Sequence, residues 1–266
     1  MVRNPVVAGQ FYPGSRDELT RELDKMIPVC PDKIGAVGVV VPHAGYVFSG
    51  QVAGEVYAKV EPRNTYLILS PNHTGYGSRF AASGEPWETP LGMVDIDKDF
   101  LAAVMRRTEL VTEDALAHVA EHSIEVQLPF IQRTSPGAKI VPITVQRGDF
   151  SELNEVADAL VFAAGERENE VLIVASSDMT HYESREDAGK KDEAAIRKVL
   201  ELDAEGLMEV VEREDITMCG YIPVAIMLMC AKRMNAKKSE LVKYSDSGDV
   251  TGDTAQVVGY AGIIVY

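Results

Sequence analysis

The sequence predicts an α/β protein: a single domain whose central mixed sheet is covered by helices on both faces. Three observations in its 266 residues carry that expectation. Val37–Val41, Tyr66–Ser70 and Val171–Ala175 are short, unbroken apolar runs of the kind that form strands buried on both faces. Stretches with helical apolar spacing separate them, the alternation expected when strands are joined by crossover helices. No segment rich in Gly, Pro or Ser divides the chain into two cores, so 1–266 reads as one unit, long enough to bury most of its apolar surface.

Gln10-Phe11-Tyr12-Pro13-Gly14 is a turn, and Arg16 to Ile27 an amphipathic helix with Leu19, Leu23, Met26 and Ile27 on one face. Val37–Val41 is the first core strand, followed by a helix from Gly50 to about Val60, and Tyr66–Ser70 is the second. Phe80 to Asp97, with Trp87-Glu88-Thr89-Pro90-Leu91-Gly92, is a turn-rich excursion or hairpin. Helices are expected over 97–107 and around 121–133, where Ile124, Leu128 and Ile131 form one stripe. Ile140–Val145, Val171–Ala175 and Glu240–Tyr244 are further strands, interleaved with helices near 150–164, 187–201 and 203–213. Cys219-Gly220-Tyr221-Ile222-Pro223 opens an apolar helix to about Arg233; its early proline is tolerated because first-turn amides lack intrahelical partners. Ala255 to Tyr266 closes the sheet. Ser245 to Asp253 lacks the spacing and the final glutamate of an EF-hand, and turn chemistry accounts for it.

With 26 basic and 41 acidic residues the chain carries a formal charge of −15, a field that repels phosphate backbones. Nucleic acid is therefore not an expected partner, and Lys190-Lys191 reads as a solvated helix face. No apolar stretch reaches the roughly 20 residues that span a bilayer, and the amino terminus lacks the apolar core of a secretory signal. A cytoplasmic location without membrane contact follows as the expectation. Cys30, Cys219 and Cys230 are too few and too scattered for a disulfide framework.

The five histidines carry the functional signal. Pro42-His43-Ala44-Gly45-Tyr46 and Pro71-Asn72-His73-Thr74-Gly75 each place an imidazole just beyond a strand, and Ser177-Asp178-Met179-Thr180-His181 follows a third. One such histidine alone is better explained by backbone hydrogen bonds in a turn. Recurrence at the same topological position points to a shared site, because α/β sheets bind ligands outside the carboxyl ends of their strands. Asp178, three residues before His181, is placed to act with it as an acid/base pair or to cap a helix. His118 and His122 fall four apart on an expected helix, but the glutamate precedes the second histidine, so the order is not that of a zinc protease. His118 reads as a surface or packing residue and His122 as part of a site wall. Cys219, beside Gly220 at an expected helix start, is placed where a thiolate is favoured, whereas Cys30 and Cys230 read as small buried hydrophobes. Walker, dinucleotide-binding and nucleophile-elbow sequences are absent.

These motifs, together with Ala8-Gly9-Gln10-Phe11-Tyr12-Pro13, Val47-Phe48-Ser49-Gly50, Glu121-His122-Ser123-Ile124-Glu125-Val126-Gln127-Leu128-Pro129 and Cys219-Gly220, resemble the Memo family (mediator of cell motility), also called AmmeMemoRadiSam system protein B. The resemblance spans nearly the whole chain. It implies a fold like that of class III extradiol dioxygenases, which hold non-haem Fe(II) with two histidines and a carboxylate. By that analogy His43, His73 and Cys219 are the metal ligands, with thiolate replacing carboxylate. His181 is the acid/base group, oriented by Asp178, while His122, Phe11 and Tyr46 line the substrate pocket. The expected cofactor is one transition metal ion, iron in the first place, with copper or zinc also compatible with such donors. The expected activity is a metal-dependent, dioxygenase-like redox reaction on a small molecule. The resemblance also implies two other roles: capture of a peptide or protein in a former enzyme pocket, or partnership with AMMECR1-like and radical SAM proteins.

Overall fold

Four parallel strands form the middle of the sheet in the computed structural model, which describes residues 2–266. They are β1 (Gly38–Val41), β8 (Val171–Ser176), β2 (Thr65–Pro71) and β7 (Lys139–Val145), adjacent in that order. Apart from Lys139 every residue in them is buried, which is why they read as continuous apolar runs rather than alternating ones. Antiparallel partners widen the sheet at both sides. β3 (Phe80–Ala82) pairs with β7 and carries β6 (Val111–Glu113); β11 (Val257–Val265) pairs with β1 and carries β10 (Ser239–Asp246). A short β9 (His181–Glu183) adds to β11, and β4 (Trp87–Thr89) with β5 (Gly92–Val94) makes the expected hairpin. The sheet is mixed, as the sequence predicts.

Helices cover both faces. α1 (Arg16–Met26), α2 (Tyr46–Lys59) and α4 (Leu128–Thr134) pack together on one face. On the other, α8 (Tyr221–Arg233) lies against β1, β2 and β8, flanked by α5 (Phe150–Ala164) and α7 (Ala204–Arg213), with α3 (Lys98–Arg107) and α6 (Arg185–Leu200) outside them. A last turn, α9 (Gly248–Thr251), follows β10. Because β1, β2 and β8 are parallel, their carboxyl ends share one edge, and the segments that begin at Pro42, Asn72 and Ser177 leave the sheet side by side.

Several boundaries differ from the sequence reading. α2 begins at Tyr46, four residues before Gly50, so His43 lies just ahead of a helix. The helix expected around 121–133 is two pieces, a 3₁₀ turn at Glu125–Gln127 and α4, and His118 belongs to a separate 3₁₀ turn at Ala115–His118. His118 and His122 therefore share no helix face. The helical spacing of Ile124, Leu128 and Ile131 is real, but Glu121 and Glu125 turn inward: Glu121 takes the amides of His122 and Ser123 in its own segment, and Glu125 those of Val6 and Val7. α8 starts at Tyr221, leaving Cys219 outside it. Strands β3, β6 and β9, at three residues each, are too short to show a period.

Glu125 ties down the first dozen residues. Its fully buried carboxylate accepts hydrogen bonds from Val6 N (2.9 Å), Val7 N (3.0 Å) and the Tyr12 hydroxyl (2.6 Å), and pairs with the Arg3 guanidinium. Arg3 also donates to the carbonyls of Glu121 (2.6 Å) and His118 (3.2 Å) and lies 4.3 Å over the Trp87 ring. A buried ion pair of this kind is satisfied only as a set. Removing one member strands the other, at a cost of about 3–5 kcal/mol. Glu125→Ala is expected to lower unfolding stability by about that amount in urea, and to expose the segment before Phe11 to protease. A urea midpoint equal to that of the parent would show that the strap is not held this way.

Candidate metal centre

His43, His73 and His122 meet at the edge where the parallel strands end. Their ligand nitrogens lie within 4.8 Å of one another, an arrangement that can hold a metal ion. Ring centroids are 5.2 Å apart for His43 and His73, 5.6 Å for His43 and His122, and 5.0 Å for His73 and His122. His43 comes from the end of β1, His73 from the end of β2, and His122 from the irregular segment ahead of α4.

Each ring is oriented from behind. The Ser176 hydroxyl gives its hydrogen to Ser123 O (2.8 Å) and receives Gln127 Nε2 (2.9 Å), so its contact with His43 Nδ1 (2.9 Å) must be an N–H donated by the imidazole. Gln127 is itself held by Pro42 O and the Tyr57 hydroxyl. His43 thereby turns the lone pair of Nε2 toward the cluster. Its pKa is pushed well below the ordinary value, first by burial and then by the neighbouring histidines.

Glu121 does the same for His73. Although fully buried, it accepts His73 N (2.6 Å), His73 Nδ1 (3.0 Å), His122 N (2.9 Å), Ser123 N (3.0 Å) and Ser123 Oγ (2.8 Å). Burial alone would raise its pKa; the donors, His73 foremost, outweigh that and hold it far below the usual carboxylate range. In return His73 is raised by its bond and charge contact with Glu121, against the downward pull of burial. His122 is lowered, mainly by burial. A carboxylate that fixes the tautomer of a histidine in this way is a common support for metal ligation.

Cys219 Sγ lies 3.3 Å from His43 Nε2 and 3.3 Å from Asp178 N, beside the three-histidine group rather than within it. With Nε2 an acceptor, the thiol is the donor. Gly220 brings it there: a Cβ on Gly220 would sit 2.4 Å from Ser176 O and 2.5 Å from Ser177 Cβ, so only glycine lets this segment reach the end of β8. The expected thiolate is not favoured in the metal-free chain, since Cys219 precedes the helix and burial pushes its thiol well up.

Asp178 does not orient His181. Its Oδ1 accepts His43 N (2.7 Å), bracing the segment after β1, and burial raises its pKa to about 6. His181 is held by Thr217 instead: Nδ1 donates to Thr217 O (2.9 Å) and the backbone N donates to Thr217 Oγ1 (2.7 Å). That leaves Nε2 of His181 a free lone pair. His181, Asp178, Phe11 and the three clustered histidines all line one cleft, with the Phe11 ring edge 4.8 Å from His122. Tyr46 does not line it. Its ring is buried against Tyr12 and Phe130 and its hydroxyl donates to Val126 O (2.8 Å), so it is a core residue supporting the start of α2. His118 is buried against Trp87, Cys230 is buried, and Cys30 is only partly so.

The sequence reading did not find Glu121, Ser176, Gln127 or Thr217. Glu121 and Gln127 were inside a quoted motif, but a glutamate and a glutamine in a segment with helical spacing carry no mark of burial.

The family described as Memo-like protein matches residues 3–264. The chain is 43% identical to a MEMO1 family protein of Methanopyrus kandleri over 283 aligned positions, covering 99% of each. It is 42% identical to one of Methanosarcina acetivorans over 266 positions, again 99% of each, and 41% to one of Methanocaldococcus jannaschii over 283 positions, also 99% of each. Among solved structures, an uncharacterized protein of Escherichia coli K12 is similar in fold, with a TM-score of 0.57 at 12% identity, covering 85% of this chain and 98% of that one. No helix among the described residues is long and apolar enough to cross a membrane.

His118 gives the stability a pH dependence that can be measured away from the cluster. Its Nε2 donates to Ala81 O (3.0 Å), and burial pushes its pKa down to about 4. Because the folded value lies below that of the unfolded chain (roughly 6.5), the unfolded state binds the proton first. Stability is complete above the ordinary histidine range and falls as pH drops through it toward about 4. His43 and His122 act in the same direction, while His73 and Asp178, whose folded values are raised, oppose them. Between pH 7 and pH 5 the urea midpoint of metal-free His118→Gln should therefore drop less, or rise more, than that of the parent. An unaltered slope in the variant would mean that His118 is not held neutral.

Proposed function

The chain belongs to the Memo-like family, and from that premise we propose that it is a metal-dependent redox enzyme acting on a small substrate in the histidine cleft. The ligands in this reading are His43, His73 and Cys219, and iron is the first candidate ion, with copper and zinc behind it. The observation that supports it is the convergence at His43, which clusters with His73 and His122 and whose Nε2 lies 3.3 Å from the sulfur of Cys219.

The donors fit a borderline-soft ion. Imidazole nitrogens and a thiolate suit iron, copper and zinc better than magnesium or calcium. Burial favours the neutral form of His43, the form a ligand needs. A redox-active ion bound there would supply Lewis acidity and electron transfer. The chain's own residues do the rest. Ser176 and Glu121 fix the rings of His43 and His73, Asp178 braces the backbone at His43, and the Phe11 ring packs edge-on against His122. His181, with Nδ1 occupied by Thr217 O, offers Nε2 to accept a proton from a bound molecule and return it. A second reading, in which His122 takes the place of Cys219, has its own support in the three-histidine group.

Metal content after anaerobic purification without an affinity tag tests both. His43→Ala and His73→Ala should each lose the bound ion. Cys219→Ser should lose the thiolate-to-metal absorption band and hold the ion at least about tenfold more weakly, while His122→Ala keeps both. The reverse pattern for Cys219 and His122 would establish the three-histidine site. Equal metal content in the parent and all four variants would end the proposal.

A further inference from the structure

Glu121 orients the rings of the centre, and its own position depends on the third residue of the chain. Between the 3₁₀ turns at Ala115–His118 and Glu125–Gln127 the backbone is irregular, and the amides of His122 and Ser123 turn back onto the Glu121 carboxylate. Among the described residues, no backbone amide reaches the carbonyls of His118 and Glu121. Arg3 supplies both: Nε donates to His118 O (3.2 Å) and Nη2 to Glu121 O (2.6 Å). One planar guanidinium thus bridges the two ends of the segment that carries the carboxylate.

Arg3 is itself locked. Its backbone runs beside β4, with Arg3 N donating to Pro86 O (2.9 Å) and Glu88 N donating to Arg3 O (2.9 Å). Its buried side chain lies over the Trp87 ring, gives Nη1 to Asn4 O (3.1 Å) and pairs with Glu125. Every nitrogen of the guanidinium has an acceptor, so the fork cannot swing away without leaving a buried donor unpaired. Stability alone would be served by the charge against Glu125. The carbonyl bonds go further, because one of them ends on the residue whose side chain accepts Nδ1 of His73.

We propose that Arg3 is a positioning residue of the centre: by holding the Glu121 carbonyl it aims the carboxylate, and through it fixes the tautomer of His73 that leaves Nε2 as a lone pair. This rests on reading the histidine group as a metal centre, but the tautomer can be read in the chain without an ion. A lysine in this place keeps the charge against Glu125 and, as a single point, cannot span two carbonyls and a carboxylate.

The test takes two readings on the full-length chain stripped with chelator. Nitrogen chemical shifts of the histidine rings, measured well above the ordinary histidine range, report which nitrogen of His73 carries the proton. Competition with a chromophoric chelator gives the dissociation constant for Zn²⁺. The parent should carry the proton on Nδ1 of His73. Arg3→Lys should show a mixture of the two tautomers and bind Zn²⁺ about tenfold more weakly. Tyr12→Phe is the control: it removes a hydrogen bond to the Glu125 carboxylate but leaves the Arg3 fork intact, and should lower the urea midpoint with both readings unchanged. Should Arg3→Lys not fold, Arg3→Met combined with Glu125→Gln gives the same readings without stranding a charge. In Arg3→Lys, an unchanged tautomer or an unchanged Zn²⁺ affinity would overturn the proposal. So would a tautomer shift in Tyr12→Phe as large as that in Arg3→Lys, which would reduce Arg3 to one support of the strap among several. A parent that binds no Zn²⁺ ends the metal reading instead, and the His73 tautomer in Arg3→Lys then decides the role of Arg3 by itself.

Discussion

The centre depends on one buried carboxylate. Glu121 has no exposed surface, and isolated in that position it would be protonated or would unfold its surroundings. It is ionised because five hydrogen bonds converge on it, two from His73, one from His122 N and two from Ser123. The dependence runs both ways. His73 keeps its tautomer because Glu121 is charged, and the backbone from Glu121 to Ser123 keeps its irregular path because its amides have an acceptor. A regular helix here would point those amides elsewhere and carry His122 away from the strand ends.

Sheet topology supplies what the carboxylate cannot. Parallel strands deliver the His43, His73 and Asp178 segments to one edge, and the separation of those segments is fixed by strand spacing rather than by loop conformation. Cys219 arrives from the opposite helical layer and needs a different device, the close backbone approach at Gly220. Glu125 adds the remaining wall by holding the segment that ends at Phe11 and Tyr12. The donors and walls of the site thus come from both layers and the sheet edge, and the interactions that orient them are buried.

The histidines could be read from the sequence because a strand buried on both faces has an unmistakable composition, and a polar residue at its end stands out against it. The mixed sheet and its two helical layers were legible for the same reason. Glu121 and Glu125 were not. Burial of these carboxylates is decided by partners distant in sequence, His73 for Glu121 and Arg3 for Glu125, and a local pattern cannot register them. Tyr46 was misjudged because its neighbours His43 and Phe48 do face the cleft, while its own position in the first turn of α2 faces the core. The link between Asp178 and His181 failed for a related reason. Three residues apart suggests one turn of helix, but the chain runs extended into β9, and Thr217 takes the partner's role. Cys219 was expected at a helix start, where the dipole favours thiolate; it lies before the helix, where burial governs instead.

That last difference bears on how the centre would take up an ion. In the metal-free chain the thiol of Cys219 donates to the lone pair of His43 Nε2, so two prospective ligands satisfy each other. An ion bound at His43 Nε2 would displace that hydrogen bond, and with Cys219 as a ligand it would also release the thiol proton. On the second reading, with His122 in place of Cys219, no thiol proton is released, because burial already keeps that imidazole neutral. The two ligand sets therefore differ in proton stoichiometry, and the affinity of a thiolate site rises with pH over a range where that of an imidazole site is already level. The buried hydrogen bond between Cys219 and His43 spares both groups an unsatisfied interior position in the metal-free chain, and only a site that uses the thiolate would tie the entry of an ion to the departure of its proton.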